Sequence, residues 1–596
     1  ESTTEDHATT TTTTTTRTRG LLNRGGAFVP PVGNHGNSNN NINNNSSSRW
    51  NSGGVGTTTN GNRDRPMGNP IGSSRTLSSV SSYEEEVVLQ QQQHPQHRGA
   101  GATTRGGSMD DLCETSESNL SGSSKNHSTS KRSGTLGSLG DTVGNGTSEM
   151  EDLVDHSGQP YSERIQRAGQ DYQELLVILN EAHELPPVVT AVVLQKLASI
   201  VCGPDDCEKL ADAKAPNAIV DAMLAHANIL EVQRWGCATI WTMTGTLRNQ
   251  LAFVQAGGLN VMLKSMETFA DNLELQEAVI SSLANLAAAS ENVEVLMEKG
   301  AVKQVADAMN KHSGTAVIQI KGCGVISNLV SHDSSDSSLK QKIMDIVGVA
   351  VVFCMARHPN DARLQEKALK AIRNLCANCD ENKEAVANIG GIDAVICAMQ
   401  SLKHELEVQE EGAWAISNLA QNKDNREAIG LSGGIEVVIR AMWVHTECIE
   451  VQERCAQALF TLTEDLHNAN VALELDSVSV VLDTMQRFTE VSIIQEMGCA
   501  ILCNLAAITN EAKMQIVDGG ALDAIALAMV LHADNVDLQT RACVGLVNLA
   551  IEDNLKPMLA ANIIELVGTA ADSFPKQCDE HAEKLVRIFE DAGYIN

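Results

Sequence analysis

The sequence predicts an all-α solenoid of about eight repeats, each of roughly 44 residues, preceded by a low-complexity N-terminal region. Two observations support this prediction. Three marker residues recur in a fixed phase over most of the chain. Between the markers, apolar residues recur at spacings of three and four, which is typical of helices buried on one side.

Glutamine, methionine and asparagine are the three markers. The glutamines are Gln233, Gln276, Gln319, Gln365, Gln409, Gln452, Gln495 and Gln539. Ten residues before each lies a methionine: Met223, Met266, Met309, Met355, Met399, Met442, Met485 and Met529. Nine residues after six of the glutamines comes an asparagine: Asn285, Asn328, Asn374, Asn418, Asn504 and Asn548. Successive glutamines are 43 to 46 residues apart, so the markers define a repeat array.

Each repeat unit is predicted to contain three helices. The Met helix is an apolar stretch that ends near the methionine, as in residues 434–442, and the longer Gln helix begins near the glutamine, as in residues 408–420. A short helix follows, as in residues 425–429. Pairs such as Gly433-Gly434 permit the tight turn before the Met helix. A small residue three positions after the glutamine, such as Gly412, predicts a close approach of neighbouring helices.

Composition divides the chain near residue 155. Residues 1–155 are rich in Ser, Thr, Asn, Gly and Gln, and we expect them to be disordered because they cannot bury enough apolar surface. Within them, residues 83–89 and 109–115 are either docking or phosphorylation segments or plain spacer. Residues 156–596 are predicted to form the solenoid, with degenerate capping repeats at 159–215 and 556–596.

The net charge of −31 belongs almost entirely to the predicted solenoid. Residues 1–150 hold 12 basic and 13 acidic side chains, so the remainder holds 32 and 62. Such an acidic region disfavours nucleic acid and anionic lipid and favours basic protein segments as partners. The longest apolar stretch, residues 346–356, is too short for membrane insertion. Fifteen cysteines, mostly within apolar helices, favour a reducing compartment, so we expect a cytoplasmic location, with the nucleus as a second one.

The repeat unit resembles the armadillo repeat. The residues that carry this resemblance are Val408 to Ala420, a following short helix and the Gly433-Gly434 pair, and the pattern covers residues 160–590. The resemblance implies a right-handed superhelix in which the Gln helices line a concave groove that binds extended peptides through asparagines. Importin-α-like receptors pair a Trp with an Asn four residues later in many repeats, whereas here only Trp414 and Asn418 do so.

Positions one, five and nine after each glutamine lie on one helical face and are the candidate partner-binding residues. Asparagine can pair with an extended backbone, glutamate favours a ligand Lys or Arg, and Trp414 offers a flat platform for a cation. The middle position varies between units and is therefore expected to be exposed. Alternatively, the asparagines bridge adjacent helices. The candidates are Asn285, Asn328, Glu366, Lys370, Asn374, Glu410, Trp414, Asn418, Glu453, Gln457, Glu496, Asn504 and Asn548.

Other candidate chemistry is weaker. Cys376 and Cys379 have the spacing of a redox or zinc motif, but no second pair follows and core packing is favoured. A recurrent histidine three residues after the methionine is too far from its counterparts to share a metal. We therefore expect no enzyme, cofactor or metal site. Two functions stay open: a scaffold or adaptor that holds basic, extended protein segments in an acidic concave groove, and an importin-α-like transport receptor for basic signal peptides.

Overall fold

The computed structural model describes residues 150, 153–201, 203–332 and 337–595. Apart from residues 150 and 153–155, the predicted disordered region lies outside these residues, and its disorder stays a prediction. The described part contains 29 α-helices, two 3-10 turns and one isolated β-bridge. The helices are α1 (Tyr161–Ala168), α2 (Tyr172–Leu179), α3 (Pro187–Ile200), α4 (Pro204–Asp212), α5 (Ala215–Ala225), α6 (Leu230–Met243), α7 (Leu247–Gln255), α8 (Gly258–Thr268), α9 (Leu273–Ala287), α10 (Val293–Glu298), α11 (Ala301–Lys311), α12 (Ala316–Val330), α13 (Ser337–Arg357), α14 (Ala362–Cys376), α15 (Asp380–Asn388), α16 (Gly391–Ser401), α17 (Leu406–Leu419), α18 (Lys423–Leu431), α19 (Gly434–Val444), α20 (Ile449–Thr463), α21 (Leu466–Glu474), α22 (Ser477–Arg487), α23 (Ser492–Ala506), α24 (Asn510–Asp518), α25 (Ala521–Leu531), α26 (Val536–Leu549), α27 (Leu555–Ala560), α28 (Ile563–Ser573) and α29 (Pro575–Asp591).

The predicted all-α solenoid is confirmed. The Met helices are α5, α8, α11, α13, α16, α19, α22 and α25, and the Gln helices are α6, α9, α12, α14, α17, α20, α23 and α26. Each Gln helix packs against the Gln helices before and after it, and each Met helix does the same within its own row. The core therefore runs continuously between two rows of helices, as expected of a repeat array whose units cannot bury their own apolar faces.

The marker glutamines cap the C-terminal ends of the Met helices. In all eight units the buried Gln Nε2 donates to the carbonyl of the marker methionine, at 2.7 to 3.1 Å. The same atom donates to the carbonyl three residues further on, at 2.9 to 3.3 Å. The last carbonyls of a helix lack partners within it, so this amide supplies them. The ten-residue spacing from Met to Gln follows from this geometry.

The marker methionines fill the contact between the Met helix and the Gln helix of one unit. All eight are buried. A Cβ atom added at Gly412 would lie 2.6 Å from Cγ of Met399, and Gly236, Gly322 and Gly498 face their methionines in the same way. The predicted close approach at the small residue is therefore confirmed.

The glycine turns are also confirmed. Gly257, Gly390, Gly433 and Gly520 take positive φ angles between 82° and 94° immediately before a Met helix. In the pair Gly433-Gly434 the second glycine is needed as well, because a Cβ there would lie 2.8 Å from the carbonyl oxygen of Ile429.

The third unit departs from the prediction of a separate short helix. Helix α13, the Met helix of the fourth unit, has 21 residues, whereas the other Met helices have 11, and its N-terminal part contacts the region of short helix α15 of the fourth unit. Elsewhere in the array, consecutive short helices such as α18 and α21 make this contact. Helix α13 thus fuses the short helix of the third unit with the Met helix of the fourth unit, between the two glutamines that are 46 residues apart.

Additional helices pack at both ends of the array. Helix α3 packs on the first Gln helix, where Thr239 donates to the carbonyl of Leu194. At the other end, α29 packs on the last Gln helix and buries Phe589. Taken singly, no described helix is long and apolar enough to cross a bilayer; α24 and α25 meet that length and composition only as a pair bent by 69°.

Candidate protein-binding face of the Gln helices

The candidate residues lie along one side of the Gln helices, which we name the Gln-helix face and define by positions one, two, five, eight and nine after each marker glutamine. Among the predicted residues, Asn418 is 8% exposed, and all the others are half-buried. The face is therefore open enough for contact with a ligand while its side chains are held by neighbouring units.

The expected exposure of the middle position is correct for only part of the array. Lys370, Trp414 and Gln457 are half-buried there. Ala238, Ser281 and Ala500 are buried instead, so exposure is the wrong prediction for these units. Small side chains at this position lie below the level of their longer neighbours.

The marker asparagines bridge adjacent Gln helices. In each case Nδ2 donates to the preceding Gln helix, as from Asn418 to the carbonyl of Arg373 at 3.0 Å and from Asn328 to that of Ala284 at 2.9 Å. The other four donate to a carbonyl, hydroxyl or thiol there: Asn285, Asn374, Asn504 and Asn548. Within the described chain the amide oxygens of all six accept no hydrogen bond, and none is a fully buried atom. Bridging by Nδ2 therefore leaves the amide oxygen of each side chain without a partner among the described residues.

Trp414 is enclosed by two arginines from neighbouring units. The guanidinium of Arg373 lies 3.8 Å from the centroid of its ring, and that of Arg454 lies 3.7 Å from it. Arg373 comes from the preceding Gln helix, and its Nε lies 3.1 Å from Oε2 of Glu411. The predicted platform for a ligand cation is thus already occupied, and a ligand would have to displace one of the arginines.

A related contact recurs further along the face. Arg541 lies 4.7 Å from the ring centroid of Phe460, and its Nε lies 3.1 Å from Oε1 of Glu496. Arg454, at position two, thus stacks on the ring at position five of the preceding unit, whereas Arg541, also at position two, stacks on the ring at position eight two units before it. Both arginines pair with a glutamate. Such contacts stabilise the packing of consecutive units.

The Gln-helix face is not as acidic as the whole solenoid. Its basic residues are Arg234, Lys321, Lys367, Lys370, Arg373, Arg454 and Arg541. Its acidic residues are Glu277, Glu366, Glu410, Glu411, Glu453 and Glu496. Positions one, five and nine alone, where the sequence predicts an acidic stripe, carry five glutamates against Arg234 and Lys370. Positions two and eight add most of the basic side chains, so the face as a whole is close to neutral and the surplus of carboxylates lies on other surfaces. What distinguishes the face is the partial burial of its charges.

Burial perturbs the carboxylates of the face. Loss of solvent raises the pKa of Glu277, Glu410, Glu411 and Glu496, and nearby basic groups only partly oppose this. Ion pairs within the described chain engage Glu366 with Lys367 and Glu453 with Arg454. Glu277 and Glu410 form no ion pair with any described residue. On this face, these two half-buried carboxylates are therefore the acidic groups that a nearby cation would stabilise most.

Two further sets of residues connect the units, and the sequence interpretation did not find their role. His312, His358, His445 and His532 each donate from Nε2 to a carbonyl of the preceding unit, at 2.7 to 2.9 Å. On the short helices, or on the 3-10 turns just before them, asparagines do the same across 41 or 42 residues: Asn249, Asn292, Asn425, Asn468 and Asn554. Their recurrence 15 or 16 residues after the marker glutamine was the available signal.

The cysteine pair at Cys376 and Cys379 belongs to the packed interior. Both thiols are free and buried, and burial raises the pKa of Cys376 to about 12. A thiol in such surroundings is not a ready nucleophile or metal ligand, because both roles require the thiolate. Core packing is therefore the better interpretation of this motif.

Rows of Met and Gln helices in fixed phase, with side chains that connect each unit to the next, define an armadillo-type α-solenoid. Comparison with known sequences agrees with this class. The profile of the family described as LRRK2 ARM repeat matches residues 173–476, and the chain belongs to the armadillo-repeat family.

Individual relatives are more distant. Protein aardvark of Dictyostelium discoideum is 28% identical over 136 residues, which are 21% of this chain and 18% of that protein. Beta-catenin-like protein hmp-2 of Caenorhabditis elegans is 23% identical over 175 residues, which are 28% of this chain and 24% of that protein. The matches thus span about a fifth to a quarter of these relatives.

Solved structures agree on the fold. An engineered protein superposes with a TM-score of 0.62 at 22% identity and covers 70% of this chain and 99% of its own. A structure from work on a phosphorylation switch that controls the interaction between cadherin and beta-catenin gives a TM-score of 0.54 at 16% identity, covering 65% of this chain and 77% of its own. At these identities the likeness concerns the fold.

Proposed function

We propose that this protein is a non-catalytic scaffold or adaptor that holds extended, basic segments of partner proteins on its Gln-helix face. The observation that carries the proposal is the state of Glu410. This carboxylate is half-buried, its pKa is raised by burial, and it has no ion pair among the described residues. A ligand Lys or Arg at this point would add positive charge that Arg454 and Arg373 supply only in part.

The asparagines offer a way to hold the backbone of such a ligand. Their amide oxygens are free to accept N–H groups, while their Nδ2 atoms stay bound to the preceding helix. Neighbouring helices lie about 8–10 Å apart, and an extended chain advances about 3.3 Å per residue. One unit therefore matches about three ligand residues, so a segment could be held at regular intervals without dependence on its sequence.

The relatives support the general role. One structural neighbour comes from work on an interaction between cadherin and beta-catenin, and one sequence relative is a beta-catenin-like protein. Both concern proteins of the same fold. The importin-α-like alternative has less support here, because the single Trp414–Asn418 pair is already covered by Arg373 and Arg454. The free thiols agree with a reducing compartment, so we propose a cytoplasmic location with the nucleus as a second one.

Capture of partners from native extract tests the proposed function. The binding-face variant combines Glu277→Gln, Glu410→Gln and Glu496→Gln, all half-buried. The matched control removes the same charge from exposed positions of three Met helices, with Asp221→Asn, Asp393→Asn and Asp523→Asn. Circular dichroism first establishes that both variants are folded.

We expect the binding-face variant to lose affinity by about tenfold or more for each captured partner, because charge-assisted contacts are lost. The control should bind as the unaltered protein does. Affinities are measured with purified partners, and their bound segments are identified by protection from proteolysis. Equal retention by both variants, or protected segments that are mainly acidic, would overturn the proposal.

A further inference from the structure

Helix α13 carries an apolar stripe on its solvent-exposed side. Ile346 is 40% exposed, Val349 69% and Phe353 43%, and Ala356 continues the same line. Their spacings of three, four and three residues place all four on one face of the helix. This is the spacing of the seam through which two helices pack against each other.

Comparison with the other Met helices shows that this stripe is not demanded by the repeat. In the fourth unit, Val349 lies six residues before the marker methionine, Phe353 lies two residues before it, and Ala356 follows it directly. In six of the other seven units at least two of the three are polar. Those sets are Asn217, Asp221 and Leu224; Asn260, Lys264 and Glu267; Lys303, Asp307 and Asn310; Asp393, Cys397 and Gln400; Glu436, Arg440 and Trp443; and Ser479, Asp483 and Gln486.

Two opposite charges flank the stripe at equal distances from its centre. Asp345 and Arg357 are exposed, and each lies six residues from Val351. Neither forms an ion pair with any described residue, although Arg357 lies 6.0 Å from the ring centroid of Phe353. If a second copy of the helix lies antiparallel to the first, with a two-fold axis at Val351, Asp345 of each copy lies opposite Arg357 of the other. The stripe is therefore complementary to itself.

We propose that α13 is a two-fold interface through which a second copy of this chain docks in antiparallel orientation. About this axis Val349 packs against Phe353 of the partner subunit, and Ile346 packs against Ala356 of the partner subunit. Asp345 faces Arg357 of the partner subunit, and the symmetry repeats each contact. An isologous interface requires this kind of self-complementary pattern.

The small size of the apolar stripe limits the affinity of the dimer. Residues 346–356 extend over about 15 Å of helix, so the buried area falls at the small end of specific interfaces. We therefore expect a weak dimer whose population depends on protein concentration. The proposal concerns the Met-helix row and is independent of ligand binding by the Gln-helix face.

Sedimentation equilibrium of the full chain, from nanomolar to high micromolar concentration, tests the interface. The unaltered protein should show a monomer–dimer equilibrium. Val349→Asp should raise the dissociation constant of the dimer by about tenfold or more, because a charge would be buried in the seam. Leu527→Asp is the matched control, since Leu527 is the exposed residue two positions before the methionine of the eighth unit, and it should leave the equilibrium unchanged.

Charge reversal tests the antiparallel orientation. Asp345→Arg places like charges opposite each other and should weaken the dimer, whereas the double variant Asp345→Arg with Arg357→Asp should restore it. Circular dichroism checks that each variant is folded. The proposal is overturned if the chain is monomeric throughout the concentration range, if Val349→Asp does not weaken the dimer, or if the double variant fails to restore it. A monomer that binds an amphipathic helix of another protein through α13 would count against it in the same way.

Discussion

The marker glutamines show how one buried amide fixes the spacing between the two long helices of a repeat. Each ends the Met helix by donating to two of its last carbonyls, as Gln409 does to Met399 and Leu402 at 3.1 and 3.0 Å. The sequence places these glutamines in register, because their spacing is regular. It does not reveal the capping role, because any buried polar residue in phase would give the same periodicity.

Replacement of one marker glutamine tests this role. Gln409→Ala leaves two carbonyls at the end of α16 without their donor, and we expect a loss of about 1–3 kcal/mol in the free energy of unfolding. Gln400→Ala, at an exposed position of the same Met helix, should change stability little. Chemical denaturation monitored by circular dichroism measures both. Equal stabilities of the two variants would refute the capping role.

At the scale of elements, the sequence predicts the phase of the helices well and their individual ends less well. Met399 and Gly412 fix the contact of α16 with α17, and this contact was predictable because a small residue recurs at a constant distance from the glutamine. The fusion that forms α13 was not predicted. The repeat frame gives the spacing between markers, but it does not decide whether residues 337–357 form one helix or two.

The contact between the methionine and the glycine can be tested by compensation. Gly412→Leu forces a side chain into the space of Met399, and we expect a loss of about 1–3 kcal/mol from overpacking. Adding Met399→Ala removes the clashing side chain and should recover part of that loss. Thermal and chemical unfolding of the single and double variants measure the coupling. If the effects of the two substitutions on the free energy of unfolding are simply additive, Met399 does not pack against Gly412.

At the scale of the whole molecule, the properties of the Gln-helix face arise between repeats rather than within them. Trp414 meets Arg373 and Arg454, which lie about one repeat before and one repeat after it. The sequence identified the stripe at positions one, five and nine because helical spacing is local. It missed the enclosed indole, since stacking depends on side-chain conformations across units. For the asparagines, the sequence allows either ligand binding or bridging of adjacent helices. The structure shows that Nδ2 forms a bridge and that the amide oxygen accepts no hydrogen bond from a described residue.

The raised pKa values predict how ligand binding depends on pH. For Glu410 and Glu496, burial places the folded-state pKa above the ordinary pKa of a glutamate. The stability that each contributes is therefore present below the ordinary pKa and is lost as pH rises through the raised pKa. A ligand cation favours the ionised form. Binding of a basic segment should therefore release protons, and its affinity should fall as the pH is lowered from neutrality.

Isothermal titration calorimetry in buffers of different ionisation enthalpy measures this proton release. The variant with Glu277→Gln, Glu410→Gln and Glu496→Gln serves as the reference, and its remaining binding should show a weaker pH dependence. An affinity that rises on acidification would contradict the proposed charge complementarity.

Site-specific photo-crosslinking tests most directly whether partners bind across the Gln helices. A photoreactive amino acid replaces Gln457, which is half-buried on the Gln-helix face, or Gln486, which is exposed on Met helix α22 of the next unit. After mixing with a purified partner, we expect crosslinks from position 457 to an extended basic segment and few from position 486. Crosslinks from position 486 without any from position 457 would contradict it.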